Sequence, residues 1–165
     1  MERKKPYRKP EALKQFENEL FEIKKLKFKE QPGLLKQSFR DDSANGLTKC
    51  IIKFIQLRGG QAERISTTGR VVDNRETYVD VIGFTRTMGS VGWIPSNSTK
   101  GSADIAATVK GRSVKIEVKI GNDRQSEAQK KYQSDIENAG GIYYIARDFT
   151  TFVEWYTKLL SNENR

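Results

Sequence analysis

The chain of 165 residues contains no histidine and only one cysteine. Without histidine there is no imidazole general base, no histidine-activated nucleophile and no histidine-ligated zinc. A lone Cys50, set between Lys49 and Ile51 in a helical pattern, allows neither a disulfide framework nor a thiolate zinc site within one chain. A reducing cytoplasm is therefore the expected setting. No apolar run approaches the roughly 18 residues needed to span a bilayer. The opening Met1-Glu2-Arg3-Lys4-Lys5-Pro6 is followed by no apolar stretch, so a soluble protein with no membrane partner is expected. Any chemistry must come from carboxylates, lysine, hydroxyls and a hard metal ion.

What is present is charge. Hydrophobic residues make up 36% and charged residues 31%, which is polar yet sufficient for one domain with its own core. The formal charge is +9 and the pI about 9.6, a balance that favours polyanionic partners. Residues 1–40 hold twelve Lys/Arg against six Glu, so they carry +6 and the rest of the chain only +3. This division predicts a basic helical extension over 1–40 and a domain over 41–165. A solvated basic tail would show the same charge.

Within the extension, Leu13, Phe16, Leu20, Ile23 and Leu26 recur at helical spacing, and Pro32-Gly33 ends the pattern. That stripe is also a candidate docking face for a protein partner. A second helix is expected after Asp42-Ser43, with Leu47, Cys50, Ile51, Phe54 and Ile55 inward and Gly59-Gly60 as the stop. Gln61 to Ser66 reads as a strand. Residues 67–100, rich in Gly, Thr and Asn, read as an insertion with one strand-like run, Tyr78 to Ile82. Trp93 in the insertion suits either base stacking or the closing of a small core, with the core favoured.

The pattern sharpens after Gly101. Asp104 to Val109 is a short apolar run, Lys110-Gly111-Arg112 a turn, and Val114, Ile116, Val118 and Ile120 alternate with Lys115, Glu117 and Lys119. Ser126-Glu127-Ala128-Gln129 matches a capping box, opening a helix with Ala128, Tyr132, Ile136 and Ala139 inward. Ile142 to Ala146 is a buried-looking strand. Phe149 to Leu160 closes the chain as a helix with a wide apolar face. The order predicts an α/β fold, a central mixed β-sheet of four or five strands flanked by helices.

Strand periodicity puts Glu117 and Lys119 on one face, and the turn at 110–112 folds Asp104 back beside them. Two carboxylates offer hard oxygen ligands suited to Mg²⁺, with Mn²⁺ able to substitute. A lysine beside them can orient a water or offset charge on a phosphorus centre. These are the parts of a metal-dependent phosphodiester hydrolase. The same alternation also describes the solvated face of an amphipathic strand.

Gly101-Ser102-Ala103-Asp104, then Ile116-Glu117-Val118-Lys119, then Gln125-Ser126-Glu127-Ala128-Gln129 and Ala139-Gly140-Gly141 form an ordered set. Together they resemble the VRR-NUC branch of the PD-(D/E)XK nuclease superfamily, related to archaeal-type Holliday-junction resolvases. The resemblance covers about residues 42–66 and 100–157. Ser102-Ala103 stands where the family name has Pro before the Asp. It implies a restriction-endonuclease-like fold and a nuclease acting on DNA, branched or structured sites included. By the same resemblance Asp104, Glu117 and the Val118 backbone carbonyl hold the metal, Lys119 assists the attacking water, and Gln129 lies close by. Gln129 has a second reading, as the residue that bonds back to the Ser126 backbone in the capping box. Lys100, Ser102, Arg124, Lys130 and Lys131 are candidates for phosphate contact around a helix N-terminus. The family's early-helix Glu has no assigned counterpart among Asp41, Asp42 and Asn45. A non-cleaving nucleic-acid-binding protein and a partner-docking protein on the same fold remain alternatives, and a homodimer is left open.

Overall fold

The structure is a computed structural model, and it describes residues 6–29, 31–66, 68–96 and 98–161. Four helices and eight strands follow one another as α1 (Glu11–Lys27), α2 (Ala44–Leu57), β1 (Gln61–Arg64), β2 (Arg70–Asp73), β3 (Glu76–Val79), β4 (Thr85–Met88), β5 (Val91–Ile94), β6 (Ile105–Val109), β7 (Arg112–Val118), α3 (Glu127–Asn138), β8 (Ile142–Ala146) and α4 (Phe149–Ser161). The central sheet is mixed and has four strands in the order β1-β6-β7-β8. Strand β6 runs antiparallel to both β1 and β7, and β8 returns parallel to β7 after the α3 crossover.

Local sequence explains most boundaries. Ser43 caps α2 by accepting the Gly46 N–H, and Ser126 caps α3 by accepting that of Gln129. The β6–β7 turn is the pair Lys110-Gly111, with φ of 49° and 76°, and Arg112 already belongs to β7. Positive φ at both central residues matches the twist of the flanking strands, and glycine takes it without a Cβ clash. The three-residue turn expected at 110–112 is thus one residue shorter.

Alternation along β7 divides the sheet into two faces. Val114, Ile116 and Val118 join the core cluster with Leu47, Ile51 and Ile55 of α2 and Phe149, Phe152 and Tyr156 of α4. The opposite face carries Lys115 and Glu117 beneath α3, a half-buried helix whose Tyr132 ring lies 6.4 Å from that of Tyr143 in β8. Ala139, expected inward, is exposed because it lies past the end of α3.

The basic extension is not separate from this core. Helix α1 forms where periodicity placed it, but Leu13 and Phe16 are buried in the same cluster. The Phe16 ring centroid sits 5.5 Å from Phe54 and 5.3 Å from Phe149. Phe39 completes the group, and its N–H donates to the buried Glu17 carboxylate at 2.6 Å. Burying side chains of this size is worth about 1.5–3 kcal/mol each, so α1 helps to hold α2 and α4 together. The charge run concealed this, since the basic residues lie on the outer face of the helix. Ile23 and Leu26, further along the stripe, are exposed.

The insertion is one long hairpin. Its two ladders, β2 with β5 and β3 with β4, share a single register that runs from Arg70↔Ile94 to Val79↔Thr85. Asp80, Val81 and Ile82, expected as strand, form the turn instead, with Asp80 accepting the Gly83 N–H at 2.9 Å. Trp93 closes no core. It is 61% exposed.

Candidate active site

Asp104 sits one step before β6 and therefore beyond the Ile105↔Ile116 pair, opposite Glu117. Its carboxylate Oδ2 accepts the Val118 N–H at 2.8 Å, and its carbonyl accepts the Ile65 N–H at 2.8 Å. The side chain is thereby fixed over the end of β7. Glu117 and Lys119 are buried, only 2% and 6% exposed, and their charged groups meet at 3.0 Å. Lys119 also reaches Asp123 at 3.4 Å.

Gln129 joins these groups to the start of α3. Its Nε2 donates to Glu117 Oε1 at 2.5 Å, and its Oε1 accepts from Lys119 Nζ at 3.1 Å and from the Ser126 N–H at 3.0 Å. One side chain thus closes the capping box and touches both members of the Glu117–Lys119 pair. Gly101 lets the preceding loop approach this helix end. A Cβ there would lie 2.3 Å from the Ala128 carbonyl oxygen, and its φ is +83°.

Electrostatics follow from the burial. Desolvation lifts the Glu117 carboxyl above its ordinary range, with the Lys119 hydrogen bond pulling it down and the charge of Asp104 pushing it up. Burial alone would lower Lys119, but Glu117 and Asp123 more than offset it and the ammonium is held above its usual range. Two buried side-chain oxygens among the described residues have no hydrogen-bond partner, Glu117 Oε2 and the Tyr143 hydroxyl. Leaving such atoms unpaired costs free energy, about 1–3 kcal/mol each, unless something else meets them.

Tyr143 was not legible as a site residue in the sequence. It stands beside Lys115 in the β7–β8 register, on the face that carries Glu117. Burial drives its phenol well above the usual range, and the negative charges of Glu117 and Asp104 add to that. Only the parallel pairing, set by the α3 crossover, brings it there. Asp123 was also missed, although its place four residues after Lys119 offered a signal.

The surface candidates divide. Lys100, Arg124 and Lys131 are exposed. Lys100 adjoins Gly101 at the N-terminal end of α3, and Lys130 is exposed and pairs with Glu127 at 2.8 Å. Ser102 is buried and donates its hydroxyl to the Thr99 carbonyl at 2.5 Å, so it closes the loop and is not free for phosphate. Asp41 has a structural task, since its carboxylate accepts the Tyr7 hydroxyl at 2.6 Å and the Phe149 N–H at 3.3 Å at the start of α4. Asp42 pairs with Arg40 at 2.5 Å.

Two carboxylates, those of Asp104 and Glu117, are opposite one another at this end of the sheet. Among the described residues no group of three or more acidic, cysteine or histidine side chains converges. Mg²⁺ commonly takes one or two carboxylates and keeps waters for its other positions, and the oxygens here that could serve one are those of Asp104 and the unpartnered Glu117 Oε2. No protein-family model matches the chain, and a search of curated proteins returned no match. No helix among the described residues is long and apolar enough to cross a membrane.

Proposed function

We propose that the protein is a divalent-metal-dependent nuclease of the PD-(D/E)XK superfamily, VRR-NUC branch, hydrolysing phosphodiester bonds in DNA. The observation that supports this reading is a buried Glu117 with one oxygen paired to Lys119 and Gln129 and the other unpaired, beside the fixed carboxylate of Asp104. A solvated strand face would leave these groups in water. A merely structural ion pair more commonly finds protein partners for both oxygens.

Asp104, Glu117 and the Val118 carbonyl would hold Mg²⁺ or Mn²⁺. When bound, such an ion supplies Lewis acidity toward a phosphate oxygen and makes a water more acidic. Lys119 holds its ammonium at the edge of the site, where it orients the attacking water and offsets charge that builds on the phosphate. Gln129 keeps Glu117 and Lys119 in place. Lys100, Arg124, Lys130 and Lys131 around the start of α3 would bind flanking phosphates, aided by the helix N-terminus. The central sheet with helices on both faces suits a restriction-endonuclease-like fold. A reducing cytoplasm suits a chain whose only cysteine is a buried free thiol.

Labelled linear and branched DNA, incubated with the protein in Mg²⁺, in Mn²⁺ and in chelator, tests the reading. Cleavage should require metal and should be lost in Asp104→Asn and Glu117→Gln while DNA binding persists. Cleavage by either variant at the wild-type rate refutes the assigned centre. Binding without cleavage in every metal would leave a non-cleaving DNA-binding protein.

A further inference from the structure

The hairpin between β1 and β6 is the least ordinary part of the surface. Its two four-pair ladders, Arg70↔Ile94 to Asp73↔Val91 and Glu76↔Met88 to Val79↔Thr85, keep one register across a break at 74–75 and 89–90, and together reach about 33 Å at strand rise. It pairs with no strand of the central sheet. Ten of its large apolar side chains, from Val71 to Ile94, are exposed by between 44% and 105%. They lie on both faces: Val79, Val91 and Trp93 on one, Tyr78, Phe84 and Met88 on the other, with Val81 and Ile82 at the tip.

An isolated two-stranded ribbon is marginal in water, and open apolar strands invite pairing. Something should cover this one. Charge argues against nucleic acid as the occupant. Residues 70–94 hold three arginines against three carboxylates, net zero in a chain of +9. Two of those arginines are spent inside the ribbon, Arg75 on Asp73 at 2.7 Å and Arg86 on Asp80 at 2.6 Å. Phosphate attraction needs free cations. Area argues for a protein surface of matching size. Ten such side chains expose on the order of 1,000 Å² over the two faces and the tip, so one face together with the tip offers roughly 600 Å², the lower end of what each partner brings to a stable interface. A second copy of the same ribbon supplies equal length, equal area, open edges and no net charge to repel.

We propose that the 70–94 ribbon is a dimerisation arm, and that two copies of the chain associate through their arms about a twofold axis. The interface is isologous, so each apolar side chain serves both halves. The inference does not depend on the nuclease reading.

Sedimentation velocity of the full chain, from about 0.1 to about 100 μM, tests it, since interfaces of this size fall in or below that affinity range. A concentration-dependent dimer is expected. Ile82→Asp with Phe84→Asp should weaken association at least about 100-fold, because two desolvated apolar anchors are lost. Core melting should not change, as neither side chain belongs to the core cluster. Phe84→Leu, which keeps the apolar surface, should retain the dimer. A wild-type chain that stays monomeric at every concentration overturns the proposal, as does a dimer that survives the double aspartate variant. Equal loss in Phe84→Leu and the aspartates overturns it too. Arm variants of a monomer that lose DNA binding would assign the surface to nucleic acid instead.

Discussion

Gln129 and Glu117 meet at 2.5 Å, across the gap between the start of α3 and the end of β7. The amide that donates there also accepts from Lys119 and from the Ser126 N–H, so a helix cap and a buried ion pair share one side chain. Gln129→Ala should therefore cost about 1 kcal/mol of stability from the cap. It should also slow cleavage by at least about 10-fold through lost positioning. Gln129→Glu keeps an acceptor for Ser126 but sets a carboxylate against Glu117. Melting curves beside cleavage rates separate the two roles: loss of stability with an unchanged rate in Gln129→Ala would reduce Gln129 to a cap.

Lys119 and Lys115 share a strand face but not an environment. Lys119 is buried on Glu117, while Lys115 is half-buried and lies four residues earlier, beside Tyr143. Lys119→Ala should cut at least about 100-fold more slowly, and Lys115→Ala far less. Equal losses in single-turnover assays would show that only the general charge of the strand matters.

The Tyr143 hydroxyl is buried without a partner on the same face as Glu117. Removing an unpaired buried hydroxyl relieves a desolvation cost, so Tyr143→Phe should melt at the same temperature or higher. Cleavage should fall by about 10-fold, the scale of one lost hydrogen bond at a reacting group. An unchanged rate would remove Tyr143 from the site.

Glu117 gives the metal-free protein a defined pH response. Its carboxyl, lifted chiefly by burial, holds a proton to higher pH in the folded chain than in the unfolded one. The folded state then binds more protons between the ordinary carboxyl value and the raised one. Stability should fall as pH rises through that window and level off above it. Glu117→Gln should flatten the slope. Chemical denaturation in chelator, at steps from about pH 4 to about pH 8, measures the difference. A wild-type slope retained in Glu117→Gln would place its origin elsewhere.

Helix α1 should prove inseparable from the domain. Leu13→Ala or Phe16→Ala should cost about 2–5 kcal/mol, the range for large core truncations. Deleting residues 1–40 should expose the Phe54–Phe149 contact and leave the rest unable to fold cooperatively. Cys50 reports on this directly. Burial first, then the charge of Asp41, pushes its thiol up to about 12, so it should resist alkylation at neutral pH in the intact chain. Rapid labelling of the intact protein, or a sharp unfolding transition in the truncated one, would contradict the packing of α1.

The periodicities of α2, β7 and α4, the caps at Ser43 and Ser126, and the shared face of Glu117 and Lys119 were all legible in the sequence. Each depends on neighbours within a few residues, where backbone geometry leaves little choice. The pairing of Asp104 with the end of β7 was nearly so, because a tight turn fixes register. Tertiary structure alone decided the rest. Whether α1 joined the core or trailed from it depended on Phe16 finding Phe54 and Phe149, contacts 38 and 133 residues distant in the chain. Tyr143 reached the site only through a parallel pairing that no local pattern encodes. Trp93 was left in water because both strands of its hairpin leave the sheet together, so no core formed around it. Local rules fix which way a side chain points, and long-range packing fixes what it meets.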